Sequence, residues 1–214
     1  MPTNDSKVFL SVTMSLDGFL APEFMENDQP LEKWVAKCSE LQAYVLRSKF
    51  FRENLKLGEG GETGWDNEFL EHTFNRTGVS ILGKRMFDGG EKYWPEEAPF
   101  RTPVFVVTHT RREPWVRPGG TTFHFVNDGI ESALRQAREV AGGRDIRIGG
   151  GADVIVQYLN AGLVDELNIA VAPVLFGAGV RLFEGVDHDK VALEIVEAVS
   201  SPRVTHVRYA VRRR

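Results

Sequence analysis

Residues 144–175 read RDIRIGGGADVIVQYLNAGLVDELNIAVAPVL. An alternating run ends at Ile148, three glycines follow at Gly149 to Gly151, and Val154, Ile155, Tyr158 and Leu159 then recur at helical spacing. Asn160-Ala161-Gly162 stops the helix and Val164 to Ala172 reads as a further strand, so the stretch forms a complete βαβ unit. Glycines at such a junction let the backbone approach a ligand closely. The free N–H groups and positive dipole end of the helix, at Ala152 and Asp153, favour a phosphate oxygen. A tight strand-to-helix turn would require the same glycines, and the three letters alone do not choose between the two readings.

Size and composition narrow the field. With 214 residues the chain can bury one sizeable core, which predicts a single domain over 1–214 with an elaborated insert at about 22–78. Thirty Asp and Glu against 26 Lys and Arg argue against a nucleic-acid or anionic-membrane surface. One cysteine, Cys38, rules out an internal disulfide and fits a reducing cytoplasm. We read it as a buried helix residue rather than a nucleophile. The apolar run Val8 to Val12 is too short for a signal sequence or a membrane span. No CxxC, HExxH or GxSxG pattern occurs, so zinc and nucleophilic hydrolysis lose ground.

Upstream, Lys7 to Met14 reads as a central strand buried on two faces and ends in Ser15-Leu16-Asp17-Gly18, which is either a plain turn or a loop at the ligand-binding edge of an α/β sheet. Leu31, Trp34, Val35, Cys38, Leu41, Val45 and Leu46 predict one amphipathic helix packed on the sheet. A mobile acidic loop at Leu57 to Gly64 and a short helix from Asn67 to Arg76 complete an excursion long enough to serve as a lid. Val79 to Leu82 is a strand followed by Gly83-Lys84-Arg85-Met86, with Gly89-Gly90 and Pro95 ending the helix that starts there. Two cations at a helix start oppose the dipole, so either an anion binds there or the side chains splay into solvent. Val104 to Val107 is a buried strand leading into Thr108-His109-Thr110-Arg111-Arg112, where hydroxyls and guanidinium groups suit a phosphate monoester. Thr121 to Val126 is a strand, Asp128 is placed to cap a helix over Ile130 to Val140, and Phe176 to Gly179 is a glycine turn. Leu193 to Val199 and Val204 to Val211 form an antiparallel ending, with Arg212 to Arg214 as a solvated tail.

Taken in order, SLDG, LGKRMF, THTRR and IGGGADVI…AGLVDEL…APVLFGAG resemble the dihydrofolate reductase-like family, and within it the reductase domain of the bifunctional riboflavin-biosynthesis deaminase/reductase and its stand-alone relatives. The resemblance implies an α/β fold, a mostly parallel central sheet flanked by helices with an antiparallel C-terminal strand, binding NADPH across its C-terminal edge. It places Gly83, Lys84, Arg85 and Met86 at the cofactor phosphates and Thr108, His109, Thr110, Arg111 and Arg112 at the 2′-phosphate. Gly149, Gly150, Gly151, Ala152, Asp153 and Val154 fall at the pyrophosphate, and Asp17 and Gly18 near the nicotinamide. The implied activity is hydride transfer to a small pterin-, pyrimidine- or flavin-like acceptor, similar to 5-amino-6-(5-phosphoribosylamino)uracil reductase, in a homodimer. A non-catalytic NADPH- or flavin-binding protein is the alternative on the same fold. Asp17 is the catalytic acid nominated by its motif, with bound water as another proton source and bracing of its own turn as another role. The chain departs from the pattern at Gly149, where riboflavin-pathway reductases often carry Glu. It also has no deaminase domain and no counterpart of the pteridine-binding carboxylate.

Overall fold

The computed structural model describes residues 6–23 and 31–214, and of Leu31 only the backbone. The order is β1 (Val8–Ser15), β2 (Phe19–Pro22), α1 (Leu31–Leu41), α2 (Ala43–Arg47), α3 (Lys49–Asn54), α4 (Trp65–Arg76), β3 (Thr77–Gly83) and α5 (Lys84–Glu91). Then come β4 (Val104–Val107), β5 (Trp115–Arg117), β6 (Thr121–Val126), α6 (Ile130–Val140), β7 (Asp145–Gly150), α7 (Ala152–Asn160), β8 (Glu166–Ala172), β9 (Gly179–Arg181), β10 (Val191–Ser200) and β11 (Thr205–Arg213). Nine strands form one sheet in the order β10-β11-β8-β1-β7-β3-β4-β6-β5. The block from β8 to β6 is parallel, while β11, β10 and β5 run antiparallel to their neighbours. This is the mixed α/β sheet expected from sequence.

Alternation along the strands assigns the two faces. Val8 and Leu10 of β1, Val79 and Ile81 of β3 and Ile146 and Ile148 of β7 bury against Ala133, Leu134 and Ala137 of α6 and Val154, Ile155 and Tyr158 of α7. The opposite face carries α1 to α5, with Leu41, Tyr44 and Leu70 over Ala170 and Ala172, and Phe87 over Leu82, Val104 and Val106.

Several expectations change in detail. The βαβ unit forms, but β1 lies between β7 and β8, so α7 is a crossover spanning one strand. The single helix expected over Leu31 to Leu46 breaks at Gln42, and the chain turns again at Ser48, which is extended and caps α3 by accepting from Phe51 N at 3.1 Å. Asp128 does not cap α6: Gly129 occupies that position without a side-chain bond. Helix α5 passes through Gly89 and Gly90 to Glu91. Arg212 and Arg213 belong to β11 rather than to a tail, and Arg213 donates to Gly162 O at 2.8 Å. The pairing of β2 with β9 escaped the sequence reading, because both strands are short and lie far apart in the chain. Their approach needs Gly179, where a Cβ would fall 2.1 Å from Ala21 O.

At the N-terminal ends of the parallel strands, Arg76 donates to Asp145 and Glu166, each at 2.7 Å, and lies 4.1 Å from the centre of the Phe9 ring. Burial works against the Glu166 carboxylate, yet Arg76, with Asn168 and Arg208, outweighs it and leaves its pKa below the usual 4.5. A depressed carboxylate contributes stability above its unfolded pKa and loses it as pH falls through the folded one. Stability is therefore expected to drop below about pH 4.5 in urea unfolding, and Arg76→Met should cost about 2–3 kcal/mol at neutral pH while flattening that acid limb. An unchanged acid limb in the variant would remove this assignment.

Candidate functional site

Because β1, β7, β3 and β4 are neighbours and parallel, the loops leaving their C-terminal ends gather on one edge. That brings together Asp17 and Gly18, Gly149 to Val154, Gly83 to Met86 and Thr108 to Arg112.

The centre of the edge is a contact with no room for side chains. A Cβ on Gly83 would lie 3.0 Å from Val154 Cγ2 and 3.3 Å from Gly151 N. One on Gly149 would lie 2.9 Å from Leu82 Cδ2, and one on Gly150, whose φ is +124°, 2.7 Å from Met86 Sδ. The Gly150–Gly151 peptide is cis. Gly83 and Gly151 are the N-caps of α5 and α7, neither with a side-chain cap bond. Two sets of helix N–H groups, with their positive dipole ends, therefore start side by side. Above Gly151 an added Cβ would meet nothing within 4 Å. Ala152 and Val154 are buried in the fold, and only Asp153 of the first turn projects outward.

The cations beside these helix starts are partnered within the protein. Lys84 pairs with Asp88 at 2.5 Å, and Arg85 pairs with Asp153. Both members of the Arg85–Asp153 pair are about three-quarters exposed, at 77% and 70%, and such pairs are worth only about 0–1 kcal/mol, so a competing anion can open it. Farther along, the loop after β4 is held in shape: Thr110 N donates to Thr108 Oγ1 at 3.0 Å, and Asn127 Nδ2 donates to Thr108 O and Thr110 O. Arg112 is spent on Glu91 at 2.7 Å and on the rings of Phe87, Trp115 and Phe125. Arg111 and His109 are exposed, and among the described residues Arg111 has no hydrogen bond or ion pair.

Asp17 does brace its surroundings. Its carboxylate accepts from Ser15 Oγ at 2.7 Å, from Phe176 N at 3.0 Å and from Gly177 N at 2.7 Å. The Ser15 hydroxyl, helped by the two amides, holds its pKa below the ordinary value against the cost of desolvation. It is thus a carboxylate at neutral pH, with no proton to deliver. The clamp fastens the turn after β1 to the glycine turn after β8. Gly18, at φ +91°, continues that turn and accepts from Leu182 N at 3.1 Å.

Polar residues that the sequence reading passed over lie on the α1–α5 face. Ser11, Thr13 and Ser15 of β1 are all buried, and Thr13 Oγ1 donates to Gln42 Oε1 at 3.0 Å with Tyr44 Oη 3.5 Å away. Arg147 of β7 faces the same side, stacked 5.4 Å from the Phe74 ring. The signal was present as hydroxyls at every second position in an otherwise apolar strand. Cys38 is only half-buried on α1, and burial pushes its thiol up to about 11, which removes it as a nucleophile at neutral pH.

Residues 6–207 match the model of the RibD C-terminal domain. The chain belongs to that family. It is 28% identical over 137 residues to the protein YyaP of Bacillus subtilis (strain 168), covering 59% of this chain and 72% of that one. Among solved structures it is similar to a protein of Shewanella sp. PV-4 assigned to riboflavin biosynthesis, with a TM-score of 0.67 and 19% identity over 97% of this chain and 99% of the other. It is also similar to a deaminase/5-amino-6-(5-phosphoribosylamino)uracil reductase of Thermotoga maritima, at TM-score 0.57 and 14% identity over 96% of this chain and 56% of that protein. Dihydrofolate reductase of Enterococcus faecalis in complex with NADP(H) gives 0.52 at 14% identity, covering 97% and 96% of the two chains. At these identities the structures establish the shared fold, and the family model supports a reductase-like protein.

The clamp role of Asp17 is testable without any ligand. Asp17→Ala should speed hydrogen exchange at the Phe176 and Gly177 amides. The wild-type protection should be full above the usual carboxylate value of 3.8 and fall only below it, since the folded pKa is depressed. Unchanged exchange at both amides would show that the clamp does not order the turn.

Proposed function

We propose that the protein is an NADPH-dependent reductase that passes hydride to a small heteroaromatic or carbonyl-bearing acceptor of the pterin, pyrimidine or flavin type. The observation that carries this reading is the pair of uncapped helix starts at Gly83 and Gly151, meeting on the C-terminal edge of a reductase-family sheet. The residues fit a dinucleotide. The N–H groups following Gly83 and Gly151 would take the phosphates of the bridge, and Arg111 with Thr110 on its prefolded loop would take the 2′-phosphate. When bound, the cofactor supplies the hydride. The chain holds and orients it and keeps water from the reacting edge. Asp17 serves in this proposal by fixing the turn beneath the nicotinamide, and the proton comes from solvent or from the acceptor's own surroundings.

Gly151→Ala separates a phosphate cradle from a mere turn, because φ at Gly151 is −78° and the added methyl meets no protein atom within 4 Å. We expect unchanged thermal stability and NADPH binding weakened at least about tenfold by calorimetry, equivalent to about 1.4 kcal/mol. Arg111→Met should narrow the gap between NADPH and NADH affinities. Equal NADPH affinity in wild type and a folded Gly151→Ala protein would defeat the cradle. NADPH binding with no oxidation across a panel of pterin, pyrimidine and flavin acceptors would identify a binding protein instead.

The functional unit we propose is a homodimer joined through the β10–β11 end of the sheet. Val191, Tyr209 and Val211 carry the α6–α7 core outward to that end, and Leu193 and Ile195 continue the apolar surface into solvent, 46% and 69% exposed. A bulge between Ile195 and Glu197 spoils edge-to-edge hydrogen bonding, so a second copy would pack on the face of this hairpin by two-fold symmetry. Light scattering should give a dimer for wild type and a monomer for Ile195→Glu. A monomeric wild type at working concentration would end the proposal.

A further inference from the structure

Six buried side-chain polar atoms lack a hydrogen-bond partner among the described residues. Four of them, Arg147 Nε, Asn168 Oδ1, His206 Nδ1 and Arg208 Nε, belong to strands β7, β8 and β11 under the α1–α4 layer, with β1 and its buried hydroxyls between β7 and β8. Native interiors leave few such groups, and a concentration of them on one face marks a place where something else completes the bonding. Arg147 stands out among them because its charge has no carboxylate partner among the described residues. Its Nη2 reaches only Ser11 O, at 3.4 Å, and no carboxylate comes within ion-pairing distance of it among the described residues. Two other guanidinium groups packed against this face are met: Arg76 has two carboxylates at 2.7 Å, and Arg208 has Glu197 at 3.3 Å. The Phe74 ring, 5.4 Å from Arg147 Cζ, is a weak substitute for an anion. Burial accordingly disfavours the charged form, and the nearby Tyr44 phenol offsets this only in part.

Position gives the orphaned charge a use. Arg147 lies opposite Phe9 in the β1–β7 register, and its side chain runs past Phe9 to Ser11, toward the edge where the glycine turns converge. Thr13 and Ser15 continue the same face of β1 to that edge, and Tyr44 and Gln42 close over Thr13. Gly149, two residues beyond Arg147 on β7, adds no side chain to the path. While Nε is sealed, Arg147 as a residue keeps partial solvent access. We propose that Arg147 recognises an oxyanion on the acceptor molecule, a carboxylate or a phosphate, with the Thr13 and Tyr44 hydroxyls beside it. This rests on the reductase reading for the identity of the bound molecule as an acceptor; the anion site itself is tested without turnover.

The test uses the full chain and three probes, benzoate, inorganic phosphate and benzamide, titrated by calorimetry with and without NADPH. Wild type should bind one of the anions at least about tenfold more tightly than the neutral, shape-matched benzamide, as expected for a charge-assisted contact. Benzoate ahead of phosphate identifies a carboxylate, and the reverse order identifies a phosphate. Arg147→Met should lose the preference, and Arg147→Lys should keep part of it. Arg147→Met should also melt no lower than wild type without ligand, since it removes a buried charge that lacks a partner, whereas a purely structural arginine would leave the variant less stable. No anion preference in wild type overturns the proposal whether or not the variants fold, as does a preference retained in folded Arg147→Met. A protein that prefers the anion but neither binds nor oxidises NADPH would instead overturn the reductase reading.

Discussion

The close approach of β3 and β7 at their C-terminal ends is the constraint on which the site depends. Gly83 sits where a side chain would strike Val154 and the Gly151 amide, and Gly149 and Gly150 stand against Leu82 and Met86. The spacing between the starts of α5 and α7 is therefore set by atoms that are absent. With side chains there, the strands would separate or the helices tilt, and the two sets of N–H groups would no longer face one space. The capacity to bind an anion follows from packing, with the Lys84 and Arg85 charges already met by Asp88 and Asp153.

The two faces of the sheet divide the work. Under α6 and α7 the strands present valine, leucine and isoleucine, and burial of that surface is the main source of stability. Under α1 to α4 they present Ser11, Thr13, Ser15, Arg147, Asn168 and His206, several of them buried. Leaving a buried polar group unsatisfied costs about 1–3 kcal/mol, so that face contributes less to folding than its burial suggests. The polar face also underlies the convergent edge, where the cost can be offset by a bound molecule.

Much of the fold was legible because the parallel strands are short apolar runs between glycine and helical signals, as at Val79 to Leu82 and Val104 to Val107. The glycine edge was legible too, as an ordered set of turns that the topology gathers in one place. Pairings between distant short segments were not, since β2 and β9 carry no periodicity long enough to read. Nor was the fate of individual charges. Arg112 reads as a phosphate ligand in THTRR, yet it folds onto Phe87, Trp115 and Phe125 beside Glu91, and Arg111 is the one left without a partner among the described residues. Asp17 reads as an acid because of its neighbours in sequence. Its role as a clamp depends on the Phe176 and Gly177 amides, which lie far along the chain. Arg147 was hidden inside the very stretch that decided the fold, because alternation says which side a residue faces but not whether a partner awaits it.

Arg76 joins the first residue of β7 to the first residue of β8 and rests on Phe9 near the start of β1. These are three neighbouring strands of the parallel block, and the fastening lies at the end opposite the glycine turns. A sheet held in this way resists sliding of one strand past another, so register is fixed at the end away from the glycine turns. The loops at the opposite end then carry the site without having to set strand register. The long excursion between β1 and β3 leaves from that end, and both strands stay in the parallel block.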